Sequence, residues 1–209
     1  MNITMFDEKS GWLEVGYAVG PGHLFHTLDG GKTWQDVSPE PSSLFLSKAF
    51  LNAQTAWELV SPSGPFTNNQ ADDQPGTLYR TDDGGKTWDS TTVPFSDQVY
   101  LTFLDAQHGR AEKVTVCGAG TCMARFYQTS DGGQTWSLMP MSNPSGPEQL
   151  PPATVHILST DGFTFQNTST IWLGGDGCCA YPYADLRVSR DNGGSWQQLK
   201  LPLPERNPS

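Results

Sequence analysis

Thr27-Leu28-Asp29-Gly30-Gly31-Lys32-Thr33-Trp34 returns three times along the chain. It comes back as Thr81-Asp82-Asp83-Gly84-Gly85-Lys86-Thr87-Trp88, as Thr129-Ser130-Asp131-Gly132-Gly133-Gln134-Thr135-Trp136 and as Ser189-Arg190-Asp191-Asn192-Gly193-Gly194-Ser195-Trp196. The shared pattern is [Ser/Thr]-x-Asp-x-Gly-x-[Ser/Thr]-Trp at intervals of about 50 residues, the period of a repeated supersecondary unit. Each copy follows a short apolar or alternating run (His23 to His26, Thr77 to Arg80, Met123 to Gln128, Leu186 to Val188) and precedes another that starts at its tryptophan, which is a hairpin signal. The glycines permit positive φ, the carboxylate accepts N–H groups of its own turn, and the tryptophan anchors the turn on the sheet beneath. Asp29, Asp83, Asp131 and Asp191, with Trp34, Trp88, Trp136 and Trp196, are therefore read as structural staples of four box turns. One aspartate per repeat, always on the same turn, cannot converge on one substrate.

A second phrase lies upstream of every box. Met5-Phe6-Asp7-Glu8-Lys9-Ser10-Gly11-Trp12 aligns with Phe50 to Trp57, with Phe103 to Arg110 and with Phe165 to Trp172. Each is an apolar strand end, an Asp or Asn turn, and the start of a new strand. Every repeat then holds four strands in the order A, turn, B, loop, C, box, D, which is the four-stranded antiparallel blade of a β-propeller. The expectation is an all-β chain without a helix of useful length. It reads as one propeller domain over 1–209, with blades at about 1–38, 44–92, 98–140 and 155–201 and a tail at 202–209. Four repeats make either a complete small propeller or a segment of a larger one with further blades upstream.

The repeat resembles the Asp-box, or BNR repeat, of the sialidase-like β-propeller superfamily, and the resemblance covers nearly the whole chain. Its wording is similar to that of the photosystem II stability and assembly factors and related bacterial exported proteins. Phe103-Leu104-Asp105 with Gly109 upstream, and Thr81 to Trp88 downstream, carry that likeness. It implies a β-propeller used as a binding scaffold. Those assembly factors would show a basic patch for their partner, which this acidic chain does not offer, so that role is not carried over. A sialidase would need an arginine cluster, a tyrosine nucleophile beside a glutamate and an Arg-Ile-Pro phrase before the first blade. The phrase is absent, and Arg80, Arg110, Arg125, Arg187, Arg190 and Arg206 mostly fall on strand or box positions, so sialidase activity is not expected.

The formal charge of −10 and pI of about 4.6 argue against nucleic acid and anionic membranes as partners, since both demand Lys and Arg to neutralise phosphate. No apolar run approaches the roughly 18 residues of a membrane span. No export signal is visible at the first residues, which already read as a strand. Cys117 and Cys122 flank Gly118-Ala119-Gly120-Thr121 and suggest a hairpin disulfide; a metal site is the competing reading, without the spacing of paired CxxC knuckles. His23, His26, His108 and His156 sit on separate elements and form no visible triad, and neither metal nor cofactor is expected. An even number of cysteines in a tryptophan-rich acidic repeat chain points to an extracytoplasmic location.

The turns inside the two phrases barely vary, while the B–C and D–A connections carry the length differences. In a propeller those connections leave on the same face, opposite the boxes, which marks the working face. It would be built from Ser61 to Gly76 with Phe66, Asp72 and Asp73, from Cys117 to Cys122, from Pro140 to Pro152 with Glu148, and from Asp176 to Ala184 with Tyr181 and Tyr183. Phe66, Tyr181 and Tyr183 offer flat rings to a sugar or a partner chain, with Asp72, Asp73 and Asp176 as polar contacts. The bland alternative packs the aromatic rings over Cys178-Cys179 and leaves the carboxylates solvated. The expected function is non-catalytic binding of a glycan or protein. The alternative is a glycoside hydrolase of sialidase-like or xyloglucanase-like kind, in which Asp72, Asp73, Glu148 and Asp176 supply two carboxylates about 5–9.5 Å apart across a groove.

Overall fold

The computed structural model describes residues 1–16, 22–39, 45–60, 75–96, 98–118, 121–142, 154–158, 162–175 and 185–201. Among them every regular element is a strand. The first sheet runs β1 (Asn2–Met5), β2 (Gly11–Val15), β3 (His23–Thr27), β4 (Gln35–Asp36), and the second β5 (Phe45–Phe50), β6 (Ala56–Val60), β7 (Gly76–Thr81), β8 (Asp89–Val93). The third holds β9 (Val99–Phe103), β10 (Gly109–Gly118), β11 (Thr121–Thr129) and β12 (Ser137–Leu138); after β13 (Thr154–Leu158), the fourth holds β14 (Gly162–Phe165), β15 (Ile171–Gly175), β16 (Asp185–Ser189) and β17 (Gln197–Leu199). The first four strands of each sheet form a meander whose neighbours in space are neighbours in sequence, the blade of an all-β propeller. Strand boundaries follow the two phrases: A ends and B begins around each Asp or Asn turn, and C ends where each box begins.

One element departs from expectation. The fourth blade was to open near residue 155, yet Thr154–Leu158 forms β13 and pairs antiparallel with β11, from Thr121↔Leu158 to Arg125↔Thr154. The third sheet therefore has five strands, and strand A of the fourth is β14. The cause is length. β11 meets β12 only at Tyr127 and Gln128, so the far half of its outer edge would present unpaired N–H and C=O groups without β13.

The chain divides into two compact units, Met1–Lys113 with Phe126–Leu138 and Val114–Arg125 with Met139–Ser209. In the first unit the second sheet is covered on both faces, which is why all five residues of β6 are buried. Trp57 stacks on Phe103 with ring centroids 3.6 Å apart and planes 5° from parallel, and its Nε1 donates to Gly132 O at 2.8 Å. Trp12, at the same place in the first blade, stacks on Phe50 and donates to Asn52 O at 2.9 Å. Each indole thus spends its apolar face and its single donor on the next sheet.

A residue just past strand D fills the space under the following box. Val37 is buried there and accepts Trp88 Nε1 at its carbonyl at 2.8 Å; Phe95 is buried edge-on to Trp136. Gly85 shows why the box needs glycine: its φ is +83°, and a Cβ would stand 2.6 Å from Val37 Cβ. The second unit repeats the device. Met141 lies buried against Gly193, Ser142 N donates to Gly193 O at 2.9 Å, and Trp196 Nε1 donates to Ser142 O at 3.0 Å.

Replacing Trp57 by alanine removes a fully buried ring and leaves a cavity between two sheets. The expected loss is about 3–5 kcal/mol in urea unfolding, whereas Leu28→Ala, at an exposed box position, should change stability by less than about 0.5 kcal/mol.

Candidate functional site

The box turns are the most regular local structure in the chain, and their chemistry shows what their aspartates do. Thr27 Oγ1 donates to Asp29 Oδ1 and accepts the N–H of Gly31, while Thr33 gives its N–H to Asp29 Oδ1 and its hydroxyl to Asp29 Oδ2. The same four bonds recur around Asp83, Asp131 and Asp191. Hydroxyl and N–H donors from the second Thr or Ser hold Asp29, Asp83 and Asp191 down at about 2; at Asp131 burial pulls upward and the same donors outweigh it, to the same value. A carboxylate that accepts three or more bonds from its own turn has little left for a substrate.

Each box is also tied to the A–B turn of its own blade. The residue after the aspartate has positive φ in all four copies (Gly30, Gly84, Gly132, Asn192), which aims its N–H at a carbonyl of that turn: Lys9, Gln54, Gln107 and Ser169, at 2.8–2.9 Å. The A–B turns are built by Asp7, Asn52, Asp105 and Asn167, whose Oδ1 each accepts two backbone N–H groups two and three residues on. Boxes and A–B turns thus share one end of every sheet, and the B–C and D–A connections leave from the other.

Most of the residues expected to work on that other end, Phe66, Asp72, Asp73, Glu148, Asp176, Tyr181 and Tyr183, lie outside the described residues. Cys117 and Cys122 fall on β10 and β11, joined through only two further residues beyond the strand ends; their side chains also lie outside what is described.

A charged cluster that the sequence reading passed over lies between the first and second sheets. Lys48 on β5 places Nζ 3.4 Å from Glu14 on β2 and 3.7 Å from Glu58 on β6. Glu58 has no exposed surface, and neither of its carboxylate oxygens has a hydrogen-bond partner. Burial pushes its carboxyl up to about 8, against the pull of Lys48. Asn2 Nδ2 donates to Glu14 at 3.0 Å, and near the same end His23 Nδ1 meets Asp36 at 2.8 Å. A signal for Glu58 was present: the position after the strand-B aromatic or arginine is Leu13, Ala111 and Leu173 in the other three repeats, and only the second puts a charge there.

Four meandering sheets, each stapled by the same box turn, define a β-propeller fold. The chain belongs to the Sortilin-Vps10 family, whose model, described as "Sortilin, neurotensin receptor 3,", matches residues 22–145, more than half of the chain. No curated protein matches. Among solved structures the chain is similar to one titled "YCF48 bound to D1 peptide", at 18% identity and a TM-score of 0.48, over 95% of this chain and 79% of that one.

The depressed box aspartates predict a specific acid limb. Their folded values lie near 2 and the ordinary value is 3.8, so the stability they contribute is complete above about pH 4 and is lost as pH falls toward 2. Acid titration followed by tryptophan fluorescence should show a steep loss in that window, and Asp83→Asn should make it shallower.

Proposed function

We propose that the chain is a non-catalytic binding propeller that takes a protein or peptide partner on its B–C and D–A connections and works outside the cytoplasm. The observation that carries this is the division of labour between the two ends of each sheet. The repeated polar residues are consumed by turns at one end, and the length variation is collected at the other. A scaffold that holds its loops rigidly while letting them differ is what a recognition surface requires. The family description, that of a receptor, supports a ligand-binding role. The acidic balance of the chain favours a partner with basic or polar contacts over an anionic one.

Immobilised protein exposed to a peptide library and a panel of labelled oligosaccharides, read together for retention and for shortened products, tests this. Retention of peptides without product is the expected result. Turnover abolished by Asp72→Asn, Asp73→Asn, Glu148→Gln or Asp176→Asn would establish a glycoside hydrolase instead, and retention of sugars alone would replace the peptide partner with a glycan.

A further inference from the structure

Glu58 is the group in the first unit that neither the box chemistry nor the loop face explains. Strand β6 is otherwise apolar, and its carboxylate sits on the face turned toward the first sheet, where both oxygens are buried without a hydrogen bond. We propose that Glu14, Lys48 and Glu58 form a proton-operated latch between the first and second blades, in which loss of the Glu58 proton loosens the junction.

The geometry supports each part. Lys48 belongs to the second blade, and its ammonium stands between carboxylates from both blades, with side-chain exposures of 11% for Lys48, 23% for Glu14 and none for Glu58. With Glu58 protonated, Lys48 is left to pair with Glu14 across the junction. With Glu58 ionised, a full charge is buried with the Lys48 ammonium at 3.7 Å, and opening the junction is how that charge reaches water. Among the described residues, few other charged or titratable groups face this space. Asp36 from β4 adds a like charge, and Tyr79 on β7 is the cross-strand neighbour of Glu58. β1 offers Asn2 and Thr4, β3 offers Leu24 and His26, and β8 offers Ser90 and Thr92. His26 sits toward the box end, beside Trp12 and Gly84.

The direction of the pH effect follows from linkage. The folded chain holds a proton near pH 8 that the unfolded chain releases near 4.5, so the folded state binds more protons between those values and stability falls as pH rises through them. His26 acts with the opposite sign: burial lowers it from 6.5, so the stability it contributes grows as pH rises and is complete above about 6.5. The window from pH 6.5 to 8 therefore isolates Glu58 from His26.

Infrared spectroscopy of the intact chain in that window reads the proton directly, without any variant. A protonated-carboxyl band that titrates with a midpoint near 8 and is missing from Glu58→Gln is expected. Native-state hydrogen exchange, corrected for intrinsic rates, should show protection of β5 and β6 falling by up to about tenfold per pH unit, with the slope flattened in Glu58→Gln. Lys48→Met should move the midpoint up and Glu14→Gln should move it down. Absence of the band at pH 6.5, a slope that survives Glu58→Gln, or a midpoint indifferent to Lys48 would each overturn the latch.

Discussion

The constraint on which the rest of the chain depends is the closed exchange of hydrogen bonds inside each box. An aspartate that takes bonds from a hydroxyl before it and from an N–H and a hydroxyl after it closes the turn within eight residues. The positive φ of the residue after it then does a second task. It turns one N–H outward to the A–B turn, so strands A and D, which never touch, are held in register through their turns. With both hairpins tied at one end, strands as short as β4 and β12 suffice to finish a blade.

Packing between blades solves a different problem, since a four-stranded sheet has two faces and only one of them can rest on either neighbour. In the first two blades the strand-B tryptophan, Trp12 or Trp57, leans on the following sheet, and an apolar residue past strand D fills the space under the following box. Trp57 on Phe103 and Phe95 against Trp136 are the two halves of that arrangement at one junction. Arg80 reinforces it, lying over the Trp57 ring at 5.3 Å while Nη1 reaches Ala106 O. Against this largely apolar pattern the Glu14–Lys48–Glu58 cluster stands out. A carboxylate buried between blades without a hydrogen bond costs stability as a charge, which is why burial holds Glu58 toward its neutral form.

How much of this was legible in advance divides along the same line. Asp29 with Thr27, Thr33 and Gly31 can be recognised as a turn because every bond involved spans four residues or fewer, and the same holds for Asp7, Asn52, Asp105 and Asn167. β13 was misplaced because its partner is fixed by the overhang of β11, a matter of relative strand length between segments some thirty residues apart. Glu58 was passed over, although the apolar residues at the same position in the other repeats, Leu13, Ala111 and Leu173, are a clue that its site is interior.

The sequence alone determined the unit: four repeats, each carrying the meander of a blade with a box turn before its last strand. Its information is local, and local hydrogen bonding within a turn is nearly independent of what surrounds it. Only the tertiary structure decided which sheet each tryptophan leans on, where the extra strand goes, and that one lysine stands between carboxylates of two blades. Those outcomes depend on distances between residues far apart in the chain, set by how each face finds cover from water and by what remains for a charge once that cover is in place.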